Sequence, residues 1–287
     1  MAKKKPVDLE NDRPVFEGLS QYCPPHCFEL AGRELKLVMD NGYDYLLRFG
    51  RDTVEWGAVG ESPRKDEYVA LKADDTTYFI NAEIAGATPR TGIVLILDDE
   101  NALVTAVVTH QGQNPKFPYM IDLRLEFGAV EIEGQPLNPR RHGYTEDMLG
   151  KAAYWDYGEG HQIIHVYSSA RYYNVIRPSE AEADEKGEPW TIAHEGYPEA
   201  TEPAWYVKIK DGIYLFIFIE EHLERMTGPT TRGNSLAFLM NLQRMYDVGR
   251  SFGTNAQQLP ENYCFGAYGA EIPFPERFRN MKSAYYM

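Results

Sequence analysis

Short runs of alternating apolar and polar residues, broken by turn signals every eight to twelve positions, dominate this chain. Leu35–Met39 leads through Asp40-Asn41-Gly42, a hairpin signal, into Tyr43–Phe49. Thr53–Trp56, Glu67–Lys72, Thr76–Ile84, Gly92–Leu97, Ala102–Thr109 and Ile121–Phe127 follow. This spacing predicts an antiparallel meander, closed as an up-and-down barrel or folded as a sandwich. A second series comprises Lys151–Tyr157, His161–Tyr167, Ala170–Ile176, Trp205–Lys210, Ile213–His222, Ser235–Asn241 and Arg244–Gly249. Ile213–His222 is apolar on both faces over most of its length, which predicts a strand covered on both sides. No stretch predicts a helix of convincing length.

The two series repeat one another. Leu30-Ala31-Gly32-Arg33 opens the first and Leu149-Gly150-Lys151 the second. Thr77–Glu83 lines up with Tyr214–Glu220 at an offset of 220 − 83 = 137, which also carries Tyr68 onto Trp205. A unit of this length is a duplicated domain and not a solenoid repeat. The expected organisation is an arm (1–28), a first domain (29–130), a linker rich in glycine, proline and charge (131–147), and a second domain (148–255). A C-terminal tail (256–287) is expected to pack on the domains. Residues 178–189 form an acidic, proline-flanked insertion without counterpart in the first copy.

Composition narrows the function. The 287 residues include 29 Lys plus Arg against 43 Asp plus Glu, a net charge of −14, which argues against nucleic acid and anionic membrane as partners. No apolar run reaches transmembrane length, and the basic start is not followed by a signal-peptide core. Three cysteines fit a reducing cytoplasm. Twenty tyrosines suit either half-buried strands or a pocket for an aromatic or phenolic ligand.

Differences between the copies point to candidate chemistry. At an offset of 161 − 43 = 118, Tyr43, Tyr45, Leu47 and Phe49 align with His161, Ile163, His165 and Tyr167. His165 and Tyr167 share a strand face, so a titratable imidazole and a phenol point the same way. A core histidine is the plain alternative. His161 and His165 lie roughly 13 Å apart along a strand, too far for one metal ion. Cys23-Pro24-Pro25-His26-Cys27 is metal-like only in composition, and no metal site is expected. Asp122, Arg124 and Glu126 share one face, read as outward; Arg48 poses the same question. Phosphate loops, nucleophile elbows and dinucleotide fingerprints are absent, so no cofactor is expected.

These residues resemble a known family, the MoaF-like proteins. In the first copy the matching residues are Leu30-Ala31-Gly32-Arg33, Phe49, Val54-Glu55-Trp56, Asp66–Ala70, Tyr78-Phe79 and Ile93–Leu97. In the second they are Leu149-Gly150-Lys151, His165-Val166-Tyr167, Tyr172-Tyr173, Tyr214-Leu215-Phe216 and Glu220. The resemblance implies an all-β fold of two tandem lipocalin-like (calycin) antiparallel barrels. By analogy of architecture with phenolic acid decarboxylases, it suggests a cofactor-independent lyase or related acid/base enzyme on a small phenolic compound. His165 would be the acid/base, Tyr167 would hydrogen-bond the phenol or developing oxyanion, and Glu220 would deprotonate or orient. Tyr173, Tyr214, Phe216 and Trp205 would contact substrate in the second barrel, and Trp56, Tyr68, Glu83 and Arg48 in the first. The second barrel is expected to carry the chemistry. A non-catalytic carrier of a small hydrophobic ligand is the alternative, and a filled barrel serving a homodimer is a third reading.

Overall fold

A computed structural model describes residues 7–8, 13–14, 19–113, 116, 120–158, 161–176, 178, 200–220, 233–254, 259–275 and 278. The chain is all-β. After a two-residue ladder, β1 (Val7–Asp8) with β2 (Arg13–Pro14), eight strands form the first barrel. They are β3 (Glu34–Met39), β4 (Asp44–Phe49), β5 (Thr53–Ala58), β6 (Arg64–Lys72), β7 (Thr77–Glu83), β8 (Arg90–Asp98), β9 (Leu103–Gln111) and β10 (Ile121–Glu131). Each pairs antiparallel with the next, and β10 returns to β3 through Gly128↔Met39 and its neighbours. The second barrel repeats the plan with β12 (Ala152–Asp156), β13 (Gln162–Val166), β14 (Tyr172–Ile176), β15 (Ala200–Lys210), β16 (Ile213–Ile219), β17 (Asn234–Asn241), β18 (Tyr246–Thr254) and β19 (Pro260–Ile272). It closes where β19 meets β12. The short β11 (Gly143–Tyr144) adds to β15 beyond the end of β14. Among the described residues no helix is long and apolar enough to cross a membrane.

The expected C-terminal tail needs correction, because residues 260–272 are the eighth strand of the second barrel. Their low β propensity hides them: the segment holds Pro260, Asn262, Gly266 and Gly269 and no β-branched residue before Ile272. Gly269 is required by packing, since a Cβ there would lie 2.6 Å from the Trp155 ring. Residues 179–189 of the acidic insertion and His222 lie outside the described residues.

The duplication is written in hydrogen bonds. Gly32 N–H donates to Phe49 O (2.7 Å) and Gly150 N–H to Tyr167 O (3.0 Å). Both glycines have positive φ, 84° and 78°, so the same left-handed turn opens both barrels at the 118 offset. In the fifth strand the offset is 136 and not 137. Tyr78 donates to Glu29 (2.9 Å) and Tyr214 to Asp147 (3.1 Å), with 214 − 78 = 136 and 147 − 29 = 118. Lys72 and Lys208, again 136 apart, bind the same two carboxylates. One residue of slip turns every side chain to the opposite face. Phe79 is therefore the counterpart of Leu215, Ile80 that of Phe216, and Ile84, not Glu83, that of Glu220.

The two barrels share one apolar seam. Leu71, Phe79, Val94, Ile96 and Val107 point out of the first barrel and meet Val207, Ile209, Ile213, Leu215, Ile217, Leu239 and Val248 from the outside of the second. Strands at the seam are therefore apolar on both faces, as Ile213–Ile219 is. Polar groups ring this seam. Gln111 donates to Thr254 Oγ1 (2.7 Å), Asn241 to Ala73 O (3.0 Å) and Arg250 to Thr109 Oγ1 (3.0 Å). Lys210 bridges Thr76, Asp74 and Glu100.

Phe79→Ala leaves a void in this shared core. It should cost about 3–5 kcal/mol of unfolding free energy by urea titration; a loss under about 1 kcal/mol would contradict a close-packed seam.

Candidate functional site: the two barrel interiors

Side chains at alternate positions point into each lumen. In the first barrel, Leu37, Met39, Leu47, Trp56, Leu95, Ala106 and Val108 surround a cavity of about 380 Å³. That is within the range of small-ligand pockets. Its mouth carries Tyr43, Tyr45, Glu61, Arg64, Thr91, His110, Arg124 and Glu126. The remainder of the lumen is sealed by the arm. Cys27 N–H donates to Ala70 O (2.8 Å), and Ala70 N–H donates to His26 Nδ1 (3.0 Å). His26 Nε2 meets Arg51 O (3.1 Å), so both ring nitrogens are engaged.

A buried carboxylate organises one side of the mouth. Asp66 is 4% exposed and accepts from Trp56 Nε1 (2.7 Å), Arg64 Nε (2.8 Å) and Ala85 N–H (2.9 Å). Three donors fix one carboxylate, and the carboxylate in turn fixes the indole and the guanidinium. Across the opening, Glu126 binds Arg124 Nε (2.9 Å) and accepts from Asn41 (2.7 Å). Burial, then the Glu126 charge, raises the Tyr45 pKa, so its phenol keeps its proton. His110 Nδ1 lies 2.9 Å from Thr91 Oγ1, and its pKa is lowered by burial and then by Arg124.

The second lumen is filled with rings. His165 is fully buried, with Tyr173, Phe216 and Phe238 at 5.3, 5.4 and 5.5 Å between centroids. Neither of its ring nitrogens has a hydrogen-bond partner among the described residues. Burial lowers its pKa to about 3, so at neutral pH the ring is uncharged, has no imidazolium proton to give and is a weak base. Tyr167 donates to Met240 Sδ (3.3 Å), and burial raises its pKa. Glu220 ends the inward face of β16, and its charge, with that of Glu202, acts on Tyr173. Deeper in, Tyr157 donates to Asp247 (2.9 Å), a carboxyl that burial pushes up to about 8.

The register explains the contrast. Following strand pairing, Leu47, Ala70, Ile80, Ala82 and Leu95 of the first lumen correspond to His165, Tyr206, Phe216, Phe218 and Phe238 of the second. Four of the five positions are larger in the second copy, and at the fifth an imidazole ring takes the place of a leucine. Leu47 and Leu95, which line the first cavity, and their aliphatic neighbours are replaced there by rings in mutual contact.

The structure sorts the expected site residues by face. Trp56 lines the first cavity, whereas Tyr68 lies deeper in that lumen, with its hydroxyl on Gly50 O (3.1 Å). His165, Tyr167, Tyr173, Phe216 and Glu220 share the second lumen, and Tyr214 reaches from it to Asp147. Three residues need correction. Arg48 lies outside the first barrel, bound to Glu34 (2.6 Å). Glu83 binds Arg90 (2.6 Å), which itself donates to Gly253 O and Glu261 O across the seam. Trp205 packs on the seam from outside the second barrel. Arg124 and Glu126, read as outward, line the cavity. His110, Thr91, Arg64 and Asp66 were missed. His110, Thr91 and Asp66 each stand two residues from an inward apolar neighbour (Val108, Ile93 and Tyr68), and Arg64 stands two residues from Asp66, so alternation carried the signal.

Residues 15–113 match the family model described as the MoaF N-terminal domain. This span takes in the first barrel from its arm to the end of β9. No curated protein matches the chain at a significant level.

The buried groups predict a pH signature. The His165 pKa falls from 6.5 in the unfolded chain to about 3, so its contribution to stability is full above pH 6.5 and lost as pH falls towards 3. Asp247 rises from 3.8 to about 8, so its contribution is full below pH 3.8 and lost as pH rises towards 8. Each pH unit within a window changes stability by about 1.4 kcal/mol, and the two slopes oppose where the windows overlap. Asp247→Asn should therefore flatten the decline between pH 6.5 and 8, and His165→Leu the acid branch. Parallel urea-midpoint profiles for wild type and both variants would contradict these environments.

Proposed function

We propose that the chain binds a small, largely apolar ring compound in its first barrel, most of which lies within residues 15–113, the span similar to the MoaF N-terminal domain. The observation that carries the reading is the cavity of about 380 Å³, apolar in its depth and polar at its mouth. Apolar walls provide affinity, and a few fixed polar groups at the opening set orientation. Trp56 offers a ring face to the ligand and is held still by Asp66. Glu126 and Arg124 offer an acceptor and a donor on the opposite side.

A second reading is cofactor-independent acid/base turnover of the bound compound. It is favoured by Tyr45, His110 and Glu126 lining the same opening, a phenol, an imidazole and a carboxylate within reach of one ligand. His165 is a poor acid/base in its aromatic enclosure, so a lyase reading is better placed in the first barrel than the second.

Ala106→Phe places a ring inside the cavity and should weaken binding of a neutral naphthylamine dye by roughly tenfold or more, about 1.4 kcal/mol. Dye fluorescence titration reads the change, and circular dichroism checks the fold. Unchanged affinity would move the site elsewhere. Product analysis after incubation with a phenolic library separates the readings: unaltered ligand favours the carrier.

A further inference from the structure

We infer that His110 selects the ligand, its Nε2 lone pair accepting a hydrogen bond from a hydroxyl on the bound ring, so that the ligand class is hydroxylated ring compounds. This rests on the reading that the first cavity is the binding site.

The argument begins with proton accounting. A threonine hydroxyl has one hydrogen to donate. Thr91 Oγ1 donates it to Pro89 O at 2.9 Å. The 2.9 Å contact between Thr91 Oγ1 and His110 Nδ1 can then be a hydrogen bond only if Nδ1 carries the proton and Oγ1 accepts it. In a neutral imidazole this leaves Nε2 as a bare acceptor. Burial and the nearby Arg124 charge lower the His110 pKa, which keeps the ring neutral near pH 7.

Position completes it. His110 follows Ala106 and Val108 on the inward face of β9, and all three line the cavity. Thr91 stands directly opposite on β8, in the paired register Thr91↔His110. The tautomer is thus set by a neighbouring strand before any ligand arrives. An acceptor fixed at the border of an apolar chamber favours a ligand with a donor at one end and an apolar ring behind it. A ligand without that donor would cover the lone pair and leave it unpaired, which is how polar sites discriminate near-isosteres.

The test compares 4-ethylphenol with 1-ethyl-4-methylbenzene, which differ by a hydroxyl against a methyl of similar size. Binding of both is measured by calorimetry to wild type, His110→Leu and His110→Gln. The expected result is an affinity ratio favouring the phenol that drops about tenfold in His110→Leu. His110→Gln, whose amide oxygen can accept, should recover part of it. Affinity for the hydrocarbon should hold across the three proteins, which shows that the chamber itself is intact. A ratio unchanged in His110→Leu overturns the inference and leaves the binding site standing. Failure of wild type to bind either compound overturns both.

Discussion

Two barrels can share one apolar seam only if the strands that build it are apolar on both faces, and this constraint governs the rest of the molecule. β7, β8, β16 and β17 each send one set of side chains into a lumen and the other into the seam. Such strands lose the alternation that marks inside from outside. What then keeps them in register is polar detail at the edges: Asn241 on Ala73 O, Gln111 on Thr254, Lys210 on Asp74. Slippage by one residue would put Phe79 into the first lumen and strand these partners.

The same constraint explains what the sequence made legible and what it did not. The strand rhythm and the doubling can be read from turn signals and spacing, which allow a barrel or a sandwich; closure into barrels is what the family resemblance implies. The 118 offset is correct because Gly32 and Gly150 need the same positive φ. The 137 offset is one residue out because Phe79 and Phe216 look alike in a doubly apolar strand, although one faces the seam and the other a lumen. That slip is why Glu83 resembles Glu220 in sequence and sits in a different environment. The better marker is a polar set, Glu29–Lys72–Tyr78 repeated as Asp147–Lys208–Tyr214, whose members are too scattered along the chain to stand out. β19 escaped notice for the opposite reason, since Gly269 packs against Trp155 and Gly266 against Pro24 and the Tyr22 backbone, and both weaken its strand signature.

The sequence reading favoured the lumen that the structure shows filled with rings. An aromatic-lined barrel with a histidine, a tyrosine and a carboxylate describes both lumens. His165 stands out in sequence because it replaces a leucine, yet an imidazole without a hydrogen-bond partner among the described residues is held neutral by its enclosure. His110 carries no such contrast in sequence, but its neighbours give it a defined tautomer and an open nitrogen. Chemistry follows from hydrogen-bond partners and access, and neither is written in residue type alone.

Divergence of the two lumens follows from volume. A duplicated barrel begins with two equal interiors, and a fixed backbone ring can either keep room for a guest or fill it with its own side chains. Leu47 and Leu95 border the room in the first copy, where the rings of His165 and Phe238 pack against each other in the second. Filling adds buried apolar area to the half of the molecule against which the open barrel leans. An open barrel forgoes those contacts in its own centre, and the seam returns some of them through its outer face. A rigid, ring-filled partner thus supports an open one through strands they both need, which accounts for two copies of one fold with such different interiors.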